Sequence, residues 1–175
     1  ELLDGRKDPL SLLFPEGDMT VARASYGRNL LSSYLNTICA EMIDLHAETL
    51  NSYGQLCRIL EIGGGVGATT EPVLEKLDKT GRCYEYLFSD ISRYFTEAAR
   101  QEWPQVSSQH FDINVEPGEQ GIPEGSRDVV LCANVLHNAK NIDDALRTLH
   151  AILAPGGIAV IIDSTATNAP LMASM

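Results

Sequence analysis

The spacing of apolar residues along this chain changes at Cys57. Before it, Leu35, Ile38, Cys39, Met42, Ile43 and Leu45 recur with a helical period. After it, short apolar runs alternate with helical-period segments. The pattern predicts strands at 57–62, 84–89, 106–111, 128–133 and 157–162, and helices at 68–78, 92–101 and 141–153. Ile59, Leu60 and Ile62 in the first run suit a strand buried on both faces. Val73, Leu74 and Leu77 give the next helix one apolar side. Strand alternating with helix predicts an α/β fold, a mainly parallel sheet with helices on both faces. Residues 114–127 carry Pro117-Gly118, Gly121, Pro123 and Gly125-Ser126 and read as a loop. Pro155-Gly156-Gly157 reads as the stop of the last long helix.

Upstream, residues 1–17 are rich in turn formers, with Leu10, Leu12, Leu13 and Phe14 providing apolar contact. They read as an extended lead-in. Residues 18–51 read as helix in two or more pieces, the first capped by Asp18 or Thr20. The chain thus divides into a lead-in with a helical cap over 1–56 and a core over 57–175, together one domain.

Composition narrows the choice of partners. At 175 residues and 44% hydrophobic, the chain suits one domain with a substantial core. A net charge of -11 argues against a nucleic-acid backbone or an anionic membrane. Cys39, Cys57, Cys83 and Cys132 lack CxxC spacing and read as reduced thiols of a cytoplasmic protein, with no metal site. There is no signal-peptide pattern and no apolar run long enough to span a bilayer. The chain opens at Glu1 rather than a methionine, as expected of a piece of a longer protein.

The chemistry begins where the first strand breaks into glycines, Glu61-x-Gly63-Gly64-Gly65-x-Gly67. A strand-to-helix turn of this kind holds the ligand in many nucleotide-binding α/β folds. The spacing is not that of the dinucleotide or Walker fingerprints. A carboxylate from Glu61 aimed into the pocket would repel a diphosphate and suit an ammonium and a sulfonium. Asp90, at the end of the second strand, is placed to accept hydrogen bonds from ribose hydroxyls, with a helix N-cap as the alternative. Asp112 follows the third strand and is either a turn former or a ligand contact. The fourth strand runs into Asn134-Val135-Leu136-His137. Of the four histidines, only His137 is expected at a strand end in the cleft; His46 and His150 fall on helices and His110 inside a strand. Imidazole titrates near neutral pH and can serve as a general base, or His137 caps the next helix.

The Glu61–Gly67 turn resembles the first motif of the class I methyltransferases that use S-adenosylmethionine (SAM). That resemblance implies a Rossmann-like fold and a pocket formed by Glu61, Gly63, Gly64, Gly65, Gly67, Asp90 and Ile91. It also implies Asp112 at the adenine amino group with Ile113 against the ring, and Asn134 and Val135 at the methionine portion. A helical segment before the first strand covers the cofactor in such enzymes, which makes Tyr26 and Tyr34 candidates for the pocket, although core packing is the favoured expectation for both. Asn134-Val135-Leu136-His137, Leu153-x-Pro155-Gly156-Gly157, Leu13-Phe14-Pro15-Glu16-Gly17 and Tyr34-Leu35-Asn36 are similar to methyltransferase domains of polyketide synthases and nonribosomal peptide synthetases, including siderophore-type synthetases. In the carbon-methylating members the histidine is paired with a glutamate after the fifth strand. The matching residue here is Asp163, shorter by one methylene.

The resemblance implies methyl transfer to a carbon alpha to a thioester, presented on a carrier protein among neighbouring synthase domains. His137 is the expected base and Asp163 its orienter. An oxygen or nitrogen acceptor, or an epimerase domain, is the alternative. The family's sheet has seven strands, the last two an antiparallel hairpin, and the residues after Ile162 carry no pattern for them. The fifth strand is therefore expected to be a free edge carrying Ile158, Val160, Ile161 and Ile162, open to pairing in a dimer.

Overall fold

The computed structural model describes residues 30–163. The lead-in over 1–17, the caps Asp18 and Thr20, Tyr26, and everything after Asp163 lie outside the described residues. Helix α1 (Leu30–Ser52) precedes the alternating core: β1 (Cys57–Ile62), α2 (Thr70–Thr80), β2 (Tyr84–Asp90), α3 (Arg93–Glu102), β3 (Ser107–His110), β4 (Arg127–Ala133), α4 (Ile142–Ile152) and β5 (Leu153–Ile162). Short 3-10 turns cover Pro117–Gln120 and Leu136–Asn138. Every strand pairing is parallel, in the order β3-β2-β1-β4-β5.

Alternation along the strands divides the core in two. Ile59, Tyr86, Phe88, Val129, Leu131 and Val160 point to one face and pack with Cys39, Ile43 and Ala47 of α1 and Val73, Leu74 and Leu77 of α2. Leu60, Ile62, Leu87, Val130 and Cys132 point to the other and pack with Ala145, Leu149 and Ile152 of α4. Strands buried on both faces read as continuous apolar runs, which is why the sheet was visible in the sequence.

Helix α1 forms where the helical period was read, and two expectations, for Tyr34 and for Pro155-Gly156-Gly157, are corrected. The buried side of α1 is Asn36, Cys39, Ala40, Ile43, Asp44 and Ala47, while Ile38, Met42 and Leu45 are exposed. Tyr34 is 62% exposed and packs in neither core. Pro155-Gly156-Gly157 does not stop α4, which ends at Ile152. The three residues lie within β5, where the register with β4 shifts between Arg127↔Leu153 and Val129↔Ile158. Gly156 has a φ of 83°. A Cβ on Gly157 would sit 3.0 Å from the carbonyls of Ala154 and Asp128. These glycines therefore serve an irregularity between two strands.

The amino ends of the strands are closed by charge pairs. Asp128 Oδ2 accepts from the Arg58 backbone N–H and Nε, each at 2.8 Å, and Oδ1 accepts from Arg58 Nη2 at 2.8 Å. Arg127 pairs with Glu85 at 2.8 Å. Arg82, after α2, pairs with Asp44 and Glu48 of α1. Asn51, near the end of α1, donates to the Gln55 and Cys83 carbonyls and accepts from the Cys83 N–H. Among the described residues, β5 is an edge strand, and its Ile161 is 41% exposed. Also among them, no helix is long and apolar enough to cross a membrane, and no three His, Cys, Asp or Glu are grouped to hold a metal. All four cysteines are free.

Candidate active site

The carboxyl ends of the strands surround a cleft of about 290 Å³. Its lining includes Gly63, Asp90, Ile91, Asp112, Ile113, Asn134 and Val135, all expected from the sequence, and also Ile62, Phe111, Asn114 and Asn138. Ile62 and Phe111 could have been found, since Ile62 ends β1 and Phe111 directly follows β3. Asn114 and Asn138 carry no sequence signal.

The glycine turn is built by β1 and β2 together. The N–H groups of Gly63 and Gly64 both donate to the Ser89 carbonyl, at 2.8 and 3.0 Å. The Ser89 hydroxyl donates back to the Glu61 carbonyl at 2.7 Å. Close packing explains three of the glycines: a Cβ on Gly63 would collide with the Val135 side chain. A Cβ on Gly64 would collide with the Phe88 ring, and one on Gly67 with the Trp103 indole. Those two rings pack against each other with centroids 6.3 Å apart. At Gly65 the φ is 54°, and among the described residues a Cβ would meet nothing nearer than the Gly63 carbonyl at 4.0 Å. Gly64, Gly65 and Gly67 shape the turn without lining the cleft. Gly65 leaves room for a ligand, whereas Gly64 and Gly67 accommodate aromatic rings of the protein itself.

Glu61 does not aim its carboxylate into the pocket, which corrects the expected orientation. It is 1% exposed, and its Oε2 accepts from the hydroxyls of Thr70 at 2.7 Å and Tyr86 at 2.8 Å. Burial pushes its carboxyl up to about 7, against the lowering effect of those two bonds, and nearby Asp90 adds to the rise. The reason is strand parity: Glu61 follows Leu60 and faces the side of the sheet occupied by Ile59 and the helix α2.

Asp90 combines both sequence readings. Its Oδ2 accepts from the Gly65 N–H at 3.0 Å and its Oδ1 from the Ser92 N–H at 2.7 Å, while it also lines the cleft. Each oxygen keeps a second acceptor position. Burial holds its carboxyl above the usual range, and the two backbone bonds oppose that rise. Asp112 makes a local turn, its Oδ1 accepting from the Asn114 backbone and side-chain N–H groups at 2.9 and 2.8 Å, which hold its carboxyl below the usual range. It also lines the cleft.

Asn134 adopts a φ of 57°, the left-handed region that a non-glycine residue enters at a cost of about 1 kcal/mol. Its N–H donates to the Ile162 carbonyl at 2.7 Å. The turn that follows places His137 against Asp163. His137 Nδ1 lies 2.9 Å from Asp163 Oδ1, and the His137 backbone N–H donates to Oδ2 at 3.2 Å. The shorter aspartate thus reaches the imidazole. Half of the His137 side chain is exposed, whereas Asp163 is mostly covered. Neither residue lines the cleft; they flank Asn134, Val135 and Asn138, which do. His46 and His150 lie on α1 and α4 as expected. His110 is the exposed last residue of β3, paired in register with Asp90, rather than an interior strand residue.

This arrangement fits a ligand with ribose hydroxyls and positive charge. Among the described residues, the cleft is lined by two carboxylates and no Lys or Arg. A glycine turn with room at Gly65 stands beside it. A fold, a turn and a carboxylate pair of this kind define the class of SAM-dependent methyltransferases.

Comparison with known proteins agrees. Residues 60–159 match the model of the methyltransferase domain family, and the chain belongs to that family. It is 32% identical over 182 residues to the highly reducing polyketide synthase valA of Aspergillus terreus, an alignment covering 97% of this chain and 7% of that protein. The crystal structure of the CurJ carbon methyltransferase superposes with a TM-score of 0.82 at 36% identity, covering 95% of this chain and 44% of that one. The trans-methyltransferase CalH, solved in complex with SAH, gives 0.73 at 29% identity, covering 91% and 43%. The chain thus spans a small fraction of that synthase and less than half of each of these two solved chains.

Proposed function

We propose that this domain transfers a methyl group from SAM to a carbon alpha to a thioester carbonyl, on an intermediate tethered to a carrier protein. The observation that carries this reading is the His137–Asp163 pair beside the cleft. A carbon acceptor needs a base for its α-proton, and a methyl acceptor that is already nucleophilic does not. Likeness to a structure titled as a carbon methyltransferase supports the same choice.

In this reading Asp163 accepts the Nδ1 hydrogen of His137 and fixes the tautomer in which Nε2 keeps its lone pair. Nε2 then takes the α-proton, leaving a carbanion delocalised into the thioester carbonyl. SAM, when bound, supplies an electrophilic methyl on a sulfonium, and a neutral thioether leaves as the new carbon–carbon bond forms. Asp90 would accept the ribose hydroxyls and Asp112 the adenine amino group, with Ile91 and Ile113 against the ring. Asn134 and Val135 would hold the methionine portion beside Gly63. Glu61 would act from beneath the turn, as a buried negative charge near a cationic ligand.

The setting that suits this chemistry is a cytoplasmic modular synthase, with neighbouring domains delivering the carrier arm. The exposed edge of β5 would pair with another strand, either from the rest of such a protein or from a second copy.

Incubation with labelled SAM and candidate carrier-bound thioesters, read by mass spectrometry, tests the reaction. His137→Ala should lower transfer to a carbon acceptor by about 10²-fold or more while SAM affinity stays the same. Near-normal turnover in that variant would point to an oxygen or nitrogen acceptor, and exchange of the α-proton without methylation would point to epimerisation. For the cofactor, Gly65→Val should abolish SAM binding in calorimetry. Gly81→Val is the control, because Gly81 has a similar φ of 68° at the end of α2 and open space around it. Equal loss in both variants would assign the effect to backbone strain and remove the ligand from Gly65.

A further inference from the structure

Asn36 is a buried polar residue on an otherwise largely apolar inner side of α1. The other buried polar group there, Asp44, has its own partners in Arg82 and Thr80. Asn36 uses both ends of its amide on the residues that leave the glycine turn. Its Nδ2 donates to the Ala68 carbonyl at 2.9 Å, and its Oδ1 accepts from the Thr69 hydroxyl at 3.0 Å.

The direction of the Thr69 hydroxyl is informative. Thr69 is the N-cap of α2, a position where a threonine side chain ordinarily accepts from the first free N–H groups of its own helix. Here it makes no such cap bond and turns to Asn36 instead. Its backbone there is helical, φ -97° and ψ -33°, rather than the extended form that aims a side chain at its own helix, and the hydroxyl instead makes a contact across 33 positions of sequence. The next residue, Thr70, donates to Glu61 beneath the turn. Two consecutive threonines therefore anchor the exit of the glycine turn, one to α1 and one to β1.

We infer that Asn36 is a positioning residue for the cofactor turn. Through Ala68 and Thr69 it holds Gly63–Gly67 in the conformation that receives the ligand, so that α1 contributes to cofactor affinity without touching the cofactor. The tie is buried and bidentate, and it grips the segment that must stay still while Gly65 keeps its left-handed backbone. Its cost is one desolvated amide, which an apolar residue on α1 would avoid. The inference rests on SAM binding to this turn, and the experiment separates the two, because the unmodified protein supplies the reference affinity.

The test measures SAM and SAH affinity by calorimetry, with melting temperatures, for the parent, Asn36→Ala, Thr69→Val and Asn51→Ala. Asn51 ties the opposite end of the same helix to Gln55 and Cys83, away from the cleft. Asn36→Ala and Thr69→Val should each weaken binding roughly tenfold, the loss of one or two buried hydrogen bonds from a preorganised turn. Their double variant should bind little worse than Asn36→Ala alone, because both break one contact. Asn51→Ala should lower the melting temperature without changing affinity. With a carrier-bound acceptor, the KM for SAM should rise in Asn36→Ala while kcat at saturation stays within about twofold. Thr69→Val removes a single hydroxyl and carries the test if Asn36→Ala does not fold. Parent-like affinity in Asn36→Ala or, failing that, in Thr69→Val would overturn the inference. So would a loss in Asn51→Ala equal to theirs.

Discussion

The two ends of this sheet treat the same chemical group in opposite ways. At the amino ends, Asp128 meets the guanidinium of Arg58 and Glu85 that of Arg127. At the carboxyl ends, Glu61 and Asp90 are buried and, among the described residues, receive hydroxyl or backbone N–H donors rather than a guanidinium. The titration of Asp128, Glu61 and Asp90, the buried carboxylates on the strands, follows. Burial raises Asp128, but its bonds to Arg58 outweigh that and leave it lowered, whereas burial prevails for Glu61 and Asp90. A carboxylate matched by a cation within the fold contributes to holding the chain together. One left without a cation raises the energy of the folded chain and favours a positively charged ligand nearby. The contrast separates the stabilising end of the sheet from the reactive end.

Breaking the compensated end should have the largest effect. Asp128→Ala leaves Arg58 without its carboxylate and should cost about 3 kcal/mol of unfolding free energy, read by denaturant titration at pH 7. The folded value of Asp128 is depressed, so its contribution is present above about pH 4 and is lost as pH falls through the folded value. The difference between parent and variant should therefore shrink in acid. A constant difference from pH 7 to pH 2 would show that the ion pair is not its source.

Glu61 should behave with the opposite sign. Its folded value of about 7 lies above the ordinary one. Between those values the unfolded chain has lost the proton and the folded chain retains it, so stability falls as pH rises. Glu61→Gln removes that penalty, worth about 3 kcal/mol above pH 7, and the unmatched amide N–H₂ gives back about 1 kcal/mol. The variant should therefore be about 2 kcal/mol more stable than the parent at pH 8. At pH 4, below both values, the penalty is gone and only the amide's cost remains, so the variant should be about 1 kcal/mol less stable than the parent. It should also bind SAM more weakly. A loss of stability at pH 8 would show that Glu61 is already compensated in the folded chain.

Asp90→Asn sharpens the comparison within the reactive end. An amide cannot accept from both Gly65 and Ser92 while also accepting from ribose. SAM affinity should fall about tenfold, roughly 1.4 kcal/mol, by calorimetry. Unchanged affinity would return Asp90 to a purely structural part at the start of α3. The smallest effect is expected at the sheet edge. Ile161→Lys, on an exposed site of β5, should change stability by less than about 0.5 kcal/mol. It should also abolish any self-association through that edge in light scattering. Self-association that persists would place the contact elsewhere.

Much of this was legible before any coordinates. The strands are apolar because both faces of a parallel sheet are covered, so Ile59-Leu60 and Val129-Val130-Leu131 mark themselves. The helices α2 and α4 show one apolar side. Gly63, Asp90, Asp112 and Asn134 could be placed at one cleft because parallel strands all exit at the same end. Helix α1 was less legible: its outer side also carries Leu30, Tyr34, Met42 and Leu45, so the apolar period did not reveal which side is buried.

What the sequence by itself determined is local: the period of each element, the break at the glycines, and the order of strand and helix that makes the sheet parallel. What only the tertiary structure decided is every relation between distant residues. Strand parity turned Glu61 inward to Thr70 and Tyr86. The rings of Phe88 and Trp103 made glycine necessary at positions 64 and 67. The register of β5 against β4 placed Pro155-Gly156-Gly157 within a strand irregularity and brought Asp163 to His137. Side-chain period and backbone conformation are properties of a short stretch, so they can be read along the chain. Burial, charge compensation and contact depend on what arrives from elsewhere, so they appear only once the sheet has assembled.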